Sequence, residues 1–199
     1  MHHHMQNSTE RVSHAKHENG RSTPKKGSMR VAPTGNETTF GAEEIIVSKT
    51  DLNGRITYAN DVFLRVAGYS EDEVLGQPHS FIRHPDMPRC VFKLLWDSIQ
   101  AGREIFAYVV NLAKTGDHYW VFAHVTPSLD ASGRPIGFHS NRRCPNPAQV
   151  ARVRSLYAAL LEEERRHASK ADAIEASTRL LERVISETHG SYDEFVFSI

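Results

Sequence analysis

Residues 81–89 read Phe-Ile-Arg-His-Pro-Asp-Met-Pro-Arg, and they place Arg83, His84 and Asp86 within four positions of one another. A permanent cation, an imidazole and a carboxylate on one short run can hold a polar or charged ligand group. Two prolines stiffen the backbone that would carry them. The run is too polar for core and too rigid for plain linker. His84 and Asp86 can equally brace a proline-rich loop through local hydrogen bonds, and the residues taken alone favour bracing. Three more side chains enter the candidate set: Asn60, Trp96 and Asn111. Asn60 precedes a helical pattern and doubles as an N-cap. Trp96 lies on a helix and reads equally as core. Asn111 sits in a predicted strand, and its amide can donate and accept at once.

Other reactive residue types point nowhere specific. His118, His124 and His139 fall in predicted strands without metal-ligand spacing, so they read as solvated or satisfied histidines. Cys90 and Cys144 form no CxxC pair and read as free thiols of a reducing compartment. No G-x-S-x-G, P-loop, H-E-x-x-H or paired Cys/His zinc set occurs, so the chain is not expected to be an enzyme.

The elements that position these residues follow from periodicity. Residues 1–39 are rich in His, Ser, Thr, Asn, Lys and Gly and almost free of apolar residues, which predicts a disordered tail. Its Met-His-His-His start reads as native sequence or as part of an affinity tag. His2, His3, His4, His14 and His17 leave metal binding as a minor reading.

Order is expected from Phe40. A β-rich run at 44–48, a turn at 51–54 and a returning run at 55–58 predict a hairpin, with Asn53-Gly54 supplying positive φ. Helical spacing follows at Val62, Phe63, Val66 and Ala67, ended by Gly68. Ser70 and Glu73 form a capping box for a short helix closed by Gly76. A longer helix spans 87–100, with Val91, Leu94, Leu95, Ser98 and Ile99 on one face. Strand-like runs at 104–112, 118–127 and 134–142 then complete an α+β plan: a five-stranded antiparallel sheet with helices on one face.

After Pro145 and Pro147, helices are predicted at 148–167 and 170–188, so the chain divides into a tail (1–39), a sensor domain (40–145) and a helical extension (146–199). The apolar stripes Leu156/Leu160 and Leu180/Val184 need a partner, either this chain's own sheet or a second copy. Phe195-Val196-Phe197 can dock a partner or cover the core.

The chain has 199 residues, with Lys+Arg and Asp+Glu balanced at 24 each, so no nucleic-acid footprint is present. No apolar run approaches the roughly 20 residues of a bilayer span, and no signal-peptide core follows the N-terminus. A cytoplasmic protein is expected.

From about 41 to 144 the chain resembles a PAS domain. More narrowly it is similar to the sensory PAS domain of bacterial aerotaxis receptors. The runs that carry this are ITYANDVFLRVAGYSEDEVLGQPHSFIRHPDMPR at 56–89 and KTGDHYWVFAHVTPSLDASGRPIGFHSNRR at 114–143. The Arg-His-Pro-Asp-Met-Pro segment is the most specific part. The resemblance implies FAD, bound non-covalently between sheet and helices. It assigns flavin binding to Arg83, His84 and Asp86, and a pocket-lining place to Asn60, Asn111 and Trp96.

Blue-light PAS domains form a flavin adduct through a cysteine in a G-x-N-C-R-F motif. The corresponding stretch here, Gly76 to Phe81, puts His79 at the cysteine position, which disfavours that chemistry. Haem is the runner-up cofactor, through a strand histidine such as His118 or His124. A cofactor-free interaction module is the third reading. Receptors of the family continue into a membrane anchor and a signalling hairpin not seen in this sequence. The expected output therefore acts in trans on a chemotaxis or related signalling protein, with a homodimer through the C-terminal helices as a further option.

Overall fold

The computed structural model describes residues 31–188 and 190–199, and Val31–Ile199 form one compact unit. The hairpin is β1 (Ile46–Thr50) and β2 (Ile56–Ala59), followed by α1 (Asp61–Ala67) and α2 (Glu71–Val74). A 3-10 turn at His79–Ile82 leads into α3 (Arg89–Gln100), and β3 (Ile105–Leu112), β4 (His118–Leu129) and β5 (Pro135–Arg143) complete the sheet. Three helices close the chain: α4 (Pro147–Arg165), α5 (Lys170–Thr188) and α6 (Tyr192–Ser198). The sheet is antiparallel in the order β2-β1-β5-β4-β3.

Local chemistry places most of these ends. The Asn60 side chain accepts from Phe63 N–H and caps α1, and Gly68 ends it at φ 74°. The Ser70/Glu73 capping box starts α2 as expected. The β1–β2 turn differs from expectation, because only Gly54 has positive φ. Asp51 Oδ1 accepts from both Asn53 N–H and Arg55 N–H, and a register shift at Lys49/Thr50 takes up the rest. The Gly54 φ is 75°, and a Cβ there would meet Trp96 Cη2 at 2.7 Å. Gly54→Ala is therefore expected to cost about 1–3 kcal/mol in urea unfolding, through backbone strain and displacement of Trp96.

Alternation along the strands gives the sheet two faces. Ile46, Ser48, Ala107, Asn111, Tyr119, Ala123, Ser140 and Arg142 are buried on the inner one, beneath α1–α3. The outer face carries Phe106, Trp120 and Phe122. There Tyr157 of α4 lies 5.9 Å from Trp120, and Phe197 of α6 lies 4.7 Å from Phe106. The helices after Pro147 thus meet their own sheet, and Leu160 and Leu181 are buried in the shared core. Val196 is buried while Phe197 stays largely exposed.

Composition placed the start of order at Phe40, yet Thr34 and Thr38 already bond to Gly116 and His118. Those bonds use backbone groups, which composition does not register. The expectations on His2, His3, His4, His14 and His17 lie outside the described residues.

Candidate functional site

Both sheet edges are tied to the segment after α2. Ile56 N–H donates to Gln77 C=O and His79 N–H to Gly54 C=O, which covers β2. At the opposite edge Arg83 bridges to Asn111 of β3, and Tyr157 Oη donates to Tyr108 C=O at 2.5 Å. Residues 76–83 therefore form a clasp from one edge strand to the other.

Beneath the clasp the inner face has an unusual centre. Ile46, Arg142, Ala123 and Ala107 form one row across four strands. Two alanines keep the β3–β4 part of that row low. Arg142 beside them is 2% exposed. It donates to Ser48 Oγ and its guanidinium lies 5.1 Å from the Phe63 ring centroid. Its Nε and Nη1 have no hydrogen-bond partner among the described residues. Burial lowers its pKa to about 10, with the Tyr119 hydroxyl opposing, so it remains a cation at neutral pH.

Asn111 and Tyr119, paired across β3 and β4, continue this polarity. Asn111 Nδ2 and Tyr119 Oη are both buried without a hydrogen-bond partner among the described residues. Burial raises the Tyr119 pKa; the Arg142 charge opposes that rise most, and the Asn111 amide less. Unpartnered buried donors are rare, because each costs about 1–3 kcal/mol. Clustered on one face beside a cation, they fit a flat ligand with several acceptors at its rim.

His79 sits over the same face. Its Nε2 is 3.3 Å from Ser48 Oγ and its ring is edge-on to Phe63 at 6.4 Å. Burial, then the Arg142 charge, pushes its pKa down to about 3. The ring retains partial solvent contact, which screens part of that effect. A depressed pKa leaves the folded ring neutral where the unfolded one takes a proton. Its contribution to stability is complete above the unfolded value of about 6.5 and is lost as pH falls towards 3. Acid unfolding curves of His79→Phe should be flatter than those of the parent, by up to about 1 kcal/mol per pH unit below about 6.5.

The six residues singled out in sequence separate into groups. Arg83 packs over the Phe92 ring at 4.1 Å and donates to Met87 C=O. His84 Nδ1 accepts from Asp86 N–H, and the Asp86 carboxylate is exposed. His84 and Asp86 thus brace the loop as well as standing near the β3 edge. Asn111 is the one of the six on the inner face with an unpartnered group. The Asn60 amide is taken up by Val47 N–H, Phe63 N–H and Ile45 C=O. Trp96 packs edge-on to Phe138 at 5.6 Å and against the Gly54 turn.

Sequence reasoning missed Arg142 and Tyr119. The signal was available: strand alternation puts Arg142 in phase with Phe138 and Ser140, and Tyr119 in phase with Val121 and Ala123. It missed Glu164 too. This carboxylate is 5% exposed and accepts from Arg89 N–H at 2.7 Å, Cys90 N–H at 3.3 Å and Ser177 Oγ at 3.2 Å. It thereby joins the clasp-bearing helix α3 to the α4–α5 hairpin.

The strand histidines offered for haem lie elsewhere. His118 is 5.5 Å from the His84 ring, and His124 stacks on Phe106 of the outer face. Neither shares the inner face with Arg142, because odd and even residues of β4 point to opposite sides.

Comparisons with known proteins agree with this architecture. Residues 56–142 match the PAS fold family. The chain is 39% identical over 127 residues to the aerotaxis receptor of Escherichia coli (strain K12), covering 64% of this chain and 25% of the receptor. It is 26% identical over 138 residues to the biofilm dispersion protein BdlA of Pseudomonas aeruginosa, covering 66% of this chain and 29% of that protein. The chain thus spans under a third of either relative. A solved light-oxygen-voltage domain studied with a flavin analogue gives a TM-score of 0.49 at 20% identity, over 62% of this chain and 87% of that one.

Proposed function

We propose, from the premise that residues 56–142 are a domain of the PAS family, that this chain is a signal-transduction sensor holding FAD non-covalently against the inner face of its sheet. The carrying observation is the buried cluster of unpartnered groups at Arg142, Asn111 and Tyr119. Ala107 and Ala123 pair beside Arg142 and carry little side-chain bulk on that row, which suits the approach of a flat ring. Arg142 would meet a carbonyl or anionic edge, and Asn111 with Tyr119 a second polar rim. Arg83, His84 and Asp86 act as the wall at the β3 edge, with His84 and Asp86 fixing the loop and Arg83 backed by Phe92. Asn60 and Trp96 support the pocket from behind, by capping α1 and by bracing the Gly54 turn.

A bound flavin supplies redox chemistry: electron uptake changes charge and hydrogen bonding at its N1/N5 edge. The chain's part is to feel that change. Arg142 and the Asn111 amide are placed to reorient, and the clasp, α3 and Glu164 connect them to the α4–α5 hairpin. The reading is therefore redox or oxygen sensing, with output through α4 and α5 to a signalling partner in trans, in the cytoplasm. No helix among the described residues is long and apolar enough to cross a membrane. A dimer through the C-terminal helices belongs to the same reading, though their apolar stripes are largely used within one chain.

The absorption spectrum of protein purified gently from cells tests the cofactor. Bands near about 370 and 450 nm are expected for flavin. A Soret band would replace this reading with haem, for which His79 is the histidine on the inner side. Colourless protein that takes up no added FAD would leave a cofactor-free interaction module.

A further inference from the structure

Ser48 and His79 carry the buried charge of Arg142 on towards the clasp. Ser48 is 1% exposed, and its Oγ meets two groups. Arg142 of β5 donates to it, and His79 Nε2 stands 3.3 Å away. A guanidinium only donates, so the buried hydroxyl proton of Ser48 has one acceptor among the described residues, the Nε2 lone pair of His79. The neutral ring therefore carries its proton on Nδ1. Arg142, Ser48 and His79 form a donor chain that runs one way, from the sheet to the 3-10 turn of the clasp.

Both ends of this chain are open. Arg142 Nε and Nη1 have no hydrogen-bond partner among the described residues. The His79 ring is half-buried and so reaches solvent. Its surroundings hold few charges. Phe63 of α1 is edge-on to it and apolar, and its backbone N–H is held by Gly54 C=O at 2.8 Å. Burial first and then Arg142 disfavour the imidazolium, with the backbone hydrogen bond of His79 opposing. Tyr119 of β4 is the titratable group acting on Arg142. A negative charge set against the open side of Arg142 cancels its field at the ring.

We propose that His79 is the proton-accepting end of the inner-face site: an anionic edge docked on Arg142 draws a proton from solvent onto His79 Nε2. The ring then donates to Ser48 Oγ, which accepts from His79 and Arg142 together. The Ser48 hydroxyl proton turns from the ring to the ligand. The new N–H is the one covalent bond formed, and none breaks in the chain. Because His79 belongs to the clasp, the charge of the ligand becomes a reversed hydrogen bond between clasp and β1. The inference rests on the flavin reading, the anion being the reduced flavin. By linkage, proton and anion strengthen each other's binding by the same factor.

Long-range proton–nitrogen NMR of the full chain reads the tautomer and charge of His79, with or without FAD. The flavin-free parent is expected to show a protonated Nδ1 and a bare Nε2 near neutral pH. Ser48→Ala should abolish that preference. Arg142→Met removes the charge that an anion would cancel, and should raise the proton affinity of the ring about tenfold or more. Arg142→Lys keeps the charge and should raise it far less. In the parent, oxidised FAD should leave the ring neutral, and reduction by dithionite should convert it to imidazolium. A flavin-free ring protonated on Nε2, or an unchanged titration in Arg142→Met, would overturn the donor chain whatever FAD does. Reduced FAD bound beside a ring that stays neutral would overturn the proton uptake and leave the flavin reading standing. FAD that fails to bind would overturn the flavin reading and the reduced-flavin assignment together, with the variant titrations alone deciding the chain.

Discussion

Arg142→Met is expected to stabilise the flavin-free protein by about 1–3 kcal/mol and to weaken FAD binding roughly 30-fold or more. The two effects have opposite signs because the side chain is costly without a ligand. Arg142 is a buried cation whose Nε and Nη1 have no hydrogen-bond partner among the described residues. Keeping such a charge in a protein interior costs several kcal/mol even after relaxation. What it recovers is a hydrogen bond to Ser48 Oγ and the Phe63 ring face, worth about 1 kcal/mol each. Methionine fills similar space and removes the cost. Flavin binding loses a charge-assisted contact in a low-dielectric site, on the order of 2–4 kcal/mol. Urea unfolding without flavin and a flavin titration measure the two terms separately. A variant that is less stable and still binds FAD normally would show Arg142 to be a framework residue.

Glu164→Ala should destabilise the protein by about 3–4 kcal/mol, the largest loss expected from a single side chain outside the apolar core. Helix α3 begins after Pro88, which has no capping side chain. The first N–H groups of that helix are satisfied by Glu164, 75 residues away from Arg89. Removing the carboxylate leaves Arg89 N–H and Cys90 N–H without their acceptor, leaves Ser177 Oγ only Ile174 C=O, and takes a negative charge from the helix N-terminus. Glu164→Gln keeps the shape and one acceptor and should lose about half as much. Hydrogen exchange locates the effect: Arg89 and Cys90 amides and the α4–α5 contact should open first. If stability fell by less than about 1 kcal/mol with those amides still protected, the hairpin would be held by packing alone.

Much of this protein could be read in its sequence, for physical reasons that differ by element. The five strands and their faces follow from period-two alternation, and α1 and α2 from capping residues a few positions from the turns they close. The resemblance offers Trp96 and Asn60 as pocket-lining residues, and in the structure their contacts are with Gly54, Phe138 and nearby backbone. A resemblance transfers positions, and it does not say which atoms are already occupied.

Arg142 and Glu164 were hidden for the opposite reason. Each breaks an apolar stripe, Arg142 after Phe138 and Ser140, Glu164 after Tyr157 and Leu160. A charge in phase with core residues is the sequence-level mark of both. Its partner lies too far along the chain for spacing to reveal.

The central claim is that a flavin lies against the Arg142–Asn111–Tyr119 face. The most direct measurement follows the side-chain amide signals of Asn111 and Asn60 by proton–nitrogen NMR while FAD is added. Asn111 Nδ2 has no hydrogen-bond partner among the described residues, whereas the Asn60 amide already serves Ile45, Val47 and Phe63. The account predicts a large saturable shift at Asn111 with Asn60 nearly unmoved. FAD that binds without moving the Asn111 signal, or that does not bind at all, would contradict it.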